Sequence, residues 1–153
     1  MKKTLAMMLI ALAASASSVV FAGTPIQQSE LPKAAQTFIS KYFANEKVKK
    51  VEKDNGRRGM EYEVDFNSGA EVEFNSEGNW KDVKAAKGNA VPAAIVPKAI
   101  ATYVNSNFSG QSIVEISRKR GGYEVELSNG SELKLTEDAK PMQPRQRGNR
   151  PRR

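Results

Sequence analysis

Carboxylates at every second position are the densest chemistry in this chain. Glu61, Glu63 and Asp65 alternate with Tyr62, Val64 and Phe66, Glu71 and Glu73 flank Val72, and Glu124, Glu126 and Glu132 repeat the pattern further on. On a strand, that spacing sends the acids to one face and the apolar residues to the other. Like charges facing each other across a hairpin cost stability, so the arrangement invites a use. Three readings stand open at this point. The acids form a solvated face offset by lysines on neighbouring strands, such as Lys50 and Lys134, or they dock a basic partner, or they bind calcium. The last needs convergent oxygen ligands, and no calcium-loop spacing occurs.

Other chemistry is limited by what the chain lacks. It has no His and no Cys, which removes the usual general base, the thiolate nucleophile and most transition-metal ligands. Ser131 and Lys134 have Ser-x-x-Lys spacing, but that pair works on a helical turn, and this segment alternates like a strand, which sends the two to opposite faces. The expectation is a protein that is not an enzyme, with no catalytic, cofactor-binding or metal residues. Trp80, the single tryptophan, is either core at a strand end or a rigid aromatic contact at an interface.

Basic chemistry is concentrated at the C-terminus. The net charge of +7 includes Lys2, Lys3 and six cations after Ala139: Lys140, Arg145, Arg147, Arg150, Arg152 and Arg153. Without these eight the body from 23 to 139 carries a net −1. The tail 139–153 is rich in Pro and Arg and poor in apolar residues, a composition that predicts disorder. Its arginines could pair with phosphates of an anionic envelope surface or polyanion, or with the protein's own acidic face. Nucleic acid is disfavoured, because no aromatics are interleaved to stack on bases.

The elements that must position these groups come in two sets. Residues 1–22 read as a signal peptide, with Lys2 and Lys3, the apolar run Leu5 to Ala14 and a cleavage site after Ala22. That run is too short to span a hydrocarbon core of about 30 Å, and no other transmembrane segment is expected. Export predicts a periplasmic or secreted protein. Without Cys there is no disulfide framework, so stability has to come from an ordinary core.

The remainder repeats itself. Leu31-Pro32-Lys33-Ala34 through Phe43 recurs as Val96-Pro97-Lys98-Ala99 through Phe108, and Tyr62-Glu63-Val64 through Phe74 recurs as Tyr123-Glu124-Val125 through Leu135. Leu31, Ala35, Phe38, Ile39, Tyr42 and Phe43 follow helical spacing, with Ser29 as the expected N-cap. Alternation then takes over, with hairpin loops at Asn67-Ser68-Gly69 and Ser128-Asn129-Gly130. Val48 to Lys53 and Ile113 to Lys119 read as additional strands of ambiguous face, and Trp80 to Val83 as a fourth strand. Pro141 stands at the position equivalent to Trp80, and proline cannot donate to a ladder, so the second set is expected to stop at three strands or a frayed edge.

The predicted fold is α+β: two tandem repeats of a helix followed by an antiparallel β-meander, with the helices packed on one face of the sheet. The predicted boundaries are 23–84 for the first repeat, 85–90 for a linker and 91–138 for the second repeat. The other sheet face is expected to be open.

The pattern of Leu31-Pro32 opening a helix, then Tyr62-x-Val64, Gly69, Phe74 and Gly78-Asn79-Trp80, resembles the PepSY-like, beta-lactamase-inhibitor-like domains of exported bacterial proteins. The resemblance covers nearly all of the chain between signal and tail. It implies a domain that presents a sheet face to a partner protein, as the name-giving inhibitors do to an enzyme. No inhibitory residue carries over, because the shared positions are turn and core residues. The expected function is a non-enzymatic exported binding module, inhibitor-like or otherwise, with an unidentified and basic protein partner. Its expected contacts are Glu61, Glu63, Asp65, Glu71, Glu73, Trp80, Glu124, Glu126 and Glu132. The alternative is an envelope-surface or polyanion binder acting through the tail.

Overall fold

The stretches with helical spacing fold as α1 (Lys33–Tyr42) and α2 (Lys98–Asn107), and the alternating stretches as strands. The computed structural model describes residues 23–56 and 59–142. The expected signal peptide and the tail residues Arg145, Arg147, Arg150, Arg152 and Arg153 lie outside the described residues.

The start of α1 differs from expectation. Ser29 sits inside a short 3-10 turn, Gln28–Glu30, in which the Gln27 N–H donates to Glu30 Oε2 at 2.7 Å, and α1 begins only after Pro32. The pyrrolidine ring pushes the preceding residue out of the helical region, and Leu31 is accordingly extended at ψ 150. The helix therefore cannot reach back to Ser29.

Among the described residues, eight strands form one antiparallel sheet in sequence order. β1 (Thr24–Pro25), β2 (Val48–Gly56), β3 (Gly59–Phe66), β4 (Glu71–Phe74) and β5 (Trp80–Lys84) precede α2. β6 (Ile113–Lys119), β7 (Gly122–Leu127) and β8 (Glu132–Thr136) follow it. The seam lies at β5 against β6, where Asp82, Val83 and Lys84 pair with Ser117, Ile116 and Glu115. After β8 the chain turns back, and Pro141 bridges Leu135.

Matching hairpin turns join β3 to β4 and β7 to β8. Gly69 and Gly130 have φ of 92° and 82°, a region that side chains with Cβ avoid. Phe66 N–H donates to Ala70 O and Leu127 N–H to Ser131 O, closing the two turns alike.

The core lies between the helices and one sheet face. Leu31, Ala35, Ile39 and Phe43 from the first helical segment and Ile100 and Val104 from the second are buried against Val51, Val64, Val72, Val83, Ile116 and Val125. Phe43 stacks on Phe66 with ring centroids 4.8 Å apart, and Phe38 meets Phe74 edge-on at 5.5 Å. Such aromatic pairs add about 1 kcal/mol each beyond the area they bury. The central apolar row thereby fixes which side chains must emerge on the opposite face.

Candidate functional site

Each residue of that apolar row is flanked by two residues pointing away from the helices. The ladder aligns them into two rows that cross seven strands. One runs Glu52, Glu63, Glu73, Asp82, Ser117, Glu124, Lys134, and the other Lys50, Asp65, Glu71, Lys84, Glu115, Glu126, Glu132. Of these fourteen registered positions ten are carboxylates, three are lysines and one is serine. Lysine alone cannot neutralise such a face.

Lys81 and Lys119, from outside the two rows, reach Glu73 at 4.0 Å and Glu124 at 3.6 Å, and the acids remain in excess. Lys50 Nζ lies 2.8 Å from Glu52 Oε2, Lys84 Nζ 3.3 Å from Glu71 Oε2, and Lys134 Nζ 3.2 Å from Glu124 Oε1. The Lys50 contact is a close ion pair, not a well-directed hydrogen bond, and Glu63 Oε2 is buried with no hydrogen-bond donor. Ser117 donates its hydroxyl to Asp82 Oδ1 across the seam.

Burial, then crowding, raises proton affinities. Burial first, then the charges of Asp65, Glu73 and Glu71, push the Glu63 carboxyl up to about 7. Burial first, then Asp82 and Glu126, push Glu115 up to about 7 as well. Glu73 is raised by burial and by Asp82, and Asp82 by burial, against the pull of the Ser117 hydroxyl. Glu124 goes the other way, held low by hydrogen bonds from the Glu132 side chain and then Lys134, while Glu132 is raised by that same contact. Pushed up to about 7, the Glu63 and Glu115 carboxyls gain or lose a proton near neutral pH.

Glu63, Asp65, Glu71, Glu73, Glu124, Glu126 and Glu132 therefore share one surface, and Glu61 joins them near its end, 2.6 Å from Lys81 Nζ. Trp80 does not. It pairs with Phe74, is 8% exposed on the helix side of the sheet, and lies under the Arg118 guanidinium at 4.1 Å. Glu52, Asp82, Glu115 and Ser117 belong to the acidic face but escape sequence reasoning. Register shifts at Val48/Lys50 and Ile113/Glu115 insert an extra residue in β2 and β6, which breaks the period that would have shown their face. Among the described residues no three carboxylates converge on a position that would hold a metal ion.

The architecture is thus a helix-covered antiparallel sheet whose other face is open and charged. The PepSY-like, beta-lactamase-inhibitor-like family model matches residues 19–64 and 60–141, and the chain belongs to this family. Among solved structures, a periplasmic protein of the DUF2874 family from Bacteroides vulgatus is 36% identical with a TM-score of 0.75, over 81% of this chain and 97% of that one. A periplasmic protein from Bacteroides thetaiotaomicron, described as calcium-regulated, is 37% identical with a TM-score of 0.74, over 79% and 94%. A second Bacteroides vulgatus periplasmic protein, of unknown function, is 32% identical with a TM-score of 0.73, over 79% and 97%. Against the curated proteins the chain finds no match. No helix among the described residues is long and apolar enough to cross a membrane.

Proposed function

We propose that this protein is a non-enzymatic periplasmic binding module that docks a cationic protein surface on the open face of its sheet. The observation that carries this reading is the composition of the two registered rows, ten carboxylates against three lysines. A face kept only for solubility gains nothing from burying and crowding carboxylates so that those of Glu63 and Glu115 are pushed up to about 7. A partner supplying Lys or Arg would ionise both and recover the cost of their crowding. The family's inhibitor-like description supports protein docking, and the periplasmic relatives support export through residues 1–22.

The helix-then-meander order on either side of the seam is further read as a duplication of one unit, with repeats at 23–84 and 91–138 and a linker at 85–90. In that reading the duplication extends the sheet until a face of seven registered strands is available.

The test is capture of envelope proteins by the immobilised protein over a salt series. Retention that falls steeply with ionic strength supports the reading, and retention indifferent to salt contradicts it. Loss of retention on adding millimolar calcium, at matched ionic strength, would instead assign the face to the cation. A second reading rests on the tail, where Lys140 and five arginines stand without an acid. It predicts binding to anionic vesicles that is abolished on deleting 140–153.

A further inference from the structure

Where the acidic face ends at Glu61, the start of β3, the β4–β5 turn and the β6–β7 hairpin border an open cleft of about 850 Å³. Its walls include Glu61, Trp80, Lys81, Arg118, Lys119 and Arg120. A volume of this order accommodates a small molecule. The charges in it are not balanced. Lys81 is held by Glu61 at 2.6 Å, Lys119 by Glu124 at 3.6 Å, and Glu77 accepts a hydrogen bond from Asn79 Nδ2 at 3.0 Å. The ion pairs of the described residues run from Lys50, Lys81, Lys84, Lys119, Lys134 and Lys140, and neither Arg118 nor Arg120 enters one.

Arg118 is exposed and has an aromatic neighbour. Its guanidinium lies 4.1 Å over the Trp80 ring, and Trp80 is backed by Tyr123 with ring centroids 6.4 Å apart. A guanidinium that lies flat on a ring engages it through its face and keeps its in-plane N–H donors available. A planar donor fork beside an aromatic ring, with a second guanidinium two residues on, suits a tetrahedral oxyanion that takes paired hydrogen bonds from both. We infer that this cleft binds a phosphomonoester group, presented by a small phosphorylated molecule or by a lipid headgroup, with Arg118 and Arg120 as its ligands. The protein then carries two sites of opposite sign, an acidic sheet face and a basic cleft at the sheet's end.

Trp80 is the only tryptophan of the chain and lies directly beneath Arg118, so its fluorescence reports on this site. The wild-type protein is titrated with glycerol 3-phosphate, with vesicles containing phosphatidic acid, and with acetate as a singly charged control. Saturable change with glycerol 3-phosphate assigns a soluble ligand, and change with vesicles alone assigns a headgroup. Arg120→Gln, which leaves the Trp80 stack intact, and Arg118→Gln are each expected to weaken the response about tenfold or more. Cooperative unfolding of both variants establishes that they fold. The inference is overturned by no saturable change with either phosphate probe, by an equal response to acetate, or by a response kept in both variants. It is likewise overturned by a response lost when Arg145, Arg147, Arg150, Arg152 and Arg153 are replaced by Gln but kept when Arg118 is.

Discussion

Glu63 and Glu73 stand directly opposite each other on β3 and β4, and both are pushed above the ordinary carboxylate range, first by burial. Glu52 continues the row on one side and Asp82 on the other, so four adjacent strands contribute four acids in line. The fold tolerates this because the apolar residues one position away, Val51, Val64, Val72 and Val83, are buried under the helices. The face is held together from behind.

Relieving that repulsion should stabilise the free protein. Glu63→Gln removes a charge flanked by Glu52 and Glu73 without changing side-chain size, and is expected to raise unfolding stability by about 0.5 kcal/mol at pH 8. Urea denaturation of the variant and the parent measures this. A loss of stability would show that Glu63 is held by compensating contacts instead.

Stability should also fall as pH rises through neutrality. A carboxyl whose native pKa, about 7 for Glu63 and Glu115, exceeds its ordinary value of 4.5 holds its proton better folded than unfolded. The stability it contributes is fully present below about 4.5 and is lost as pH rises through about 7. Denaturation midpoints should therefore be higher at pH 5.5 than at pH 8, and the Glu63→Gln/Glu115→Gln double variant should flatten the difference. A midpoint that climbs with pH over this window would refute the account of the face.

Gly78 is expected to be a far less replaceable glycine than Gly69. A Cβ at Gly78 would lie 2.8 Å from Pro32 Cβ and 2.8 Å from the Ala35 nitrogen, in a residue already at φ +83, whereas at Gly69, φ +92, nothing lies within 4 Å. Gly78→Ala should cost about 3 kcal/mol, from strain and overpacking together, and Gly69→Ala about 1 kcal/mol from backbone strain alone. Thermal unfolding of the pair checks the difference, and equal losses would mean that the β4–β5 turn does not press on α1.

That contact also shows what could be read in advance. Leu31-Pro32 and Gly78-Asn79-Trp80 were visible in the sequence as separate turn signals, but nothing in spacing says that Gly78 closes on Pro32 across the sheet end. The faces of β3, β4 and β7 were legible because their alternation runs unbroken from Glu61 to Phe66, Glu71 to Phe74 and Tyr123 to Leu127. Those of β2 and β6 were not, because bulges at Lys49 and Val114 shift the period by one residue, hiding Glu52, Glu115 and Ser117. Asp82 was hidden similarly, since a register shift between Glu73 and Phe74 leaves Lys81 as the extra residue of β5. Arg118 is legible as a cation, but its place over Trp80 depends on the β5–β6 seam, which brings together residues far apart in the chain.

Deleting residues 143–153 should leave folding and the acidic face intact. Pro141 bridges Leu135 and Met142 N–H donates to Lys134 O at 2.8 Å, so the last backbone contacts to β8 are retained in a chain ending at Met142. Unchanged unfolding midpoints, with unchanged salt-sensitive capture of envelope protein, are the expected outcome. Loss of capture would transfer the binding role to the tail.

Replacing Glu63, Glu73, Glu115 and Glu126 together by Gln tests the docking role of the acidic rows most directly. The four lie on β3, β4, β6 and β7 and none belongs to the buried core. The measurement is capture of envelope protein at low ionic strength by this quadruple variant beside the wild-type protein, both shown to unfold cooperatively. A folded variant that no longer retains what the wild type retains is the predicted result, and retention equal to wild type would contradict the docking role of the sheet face.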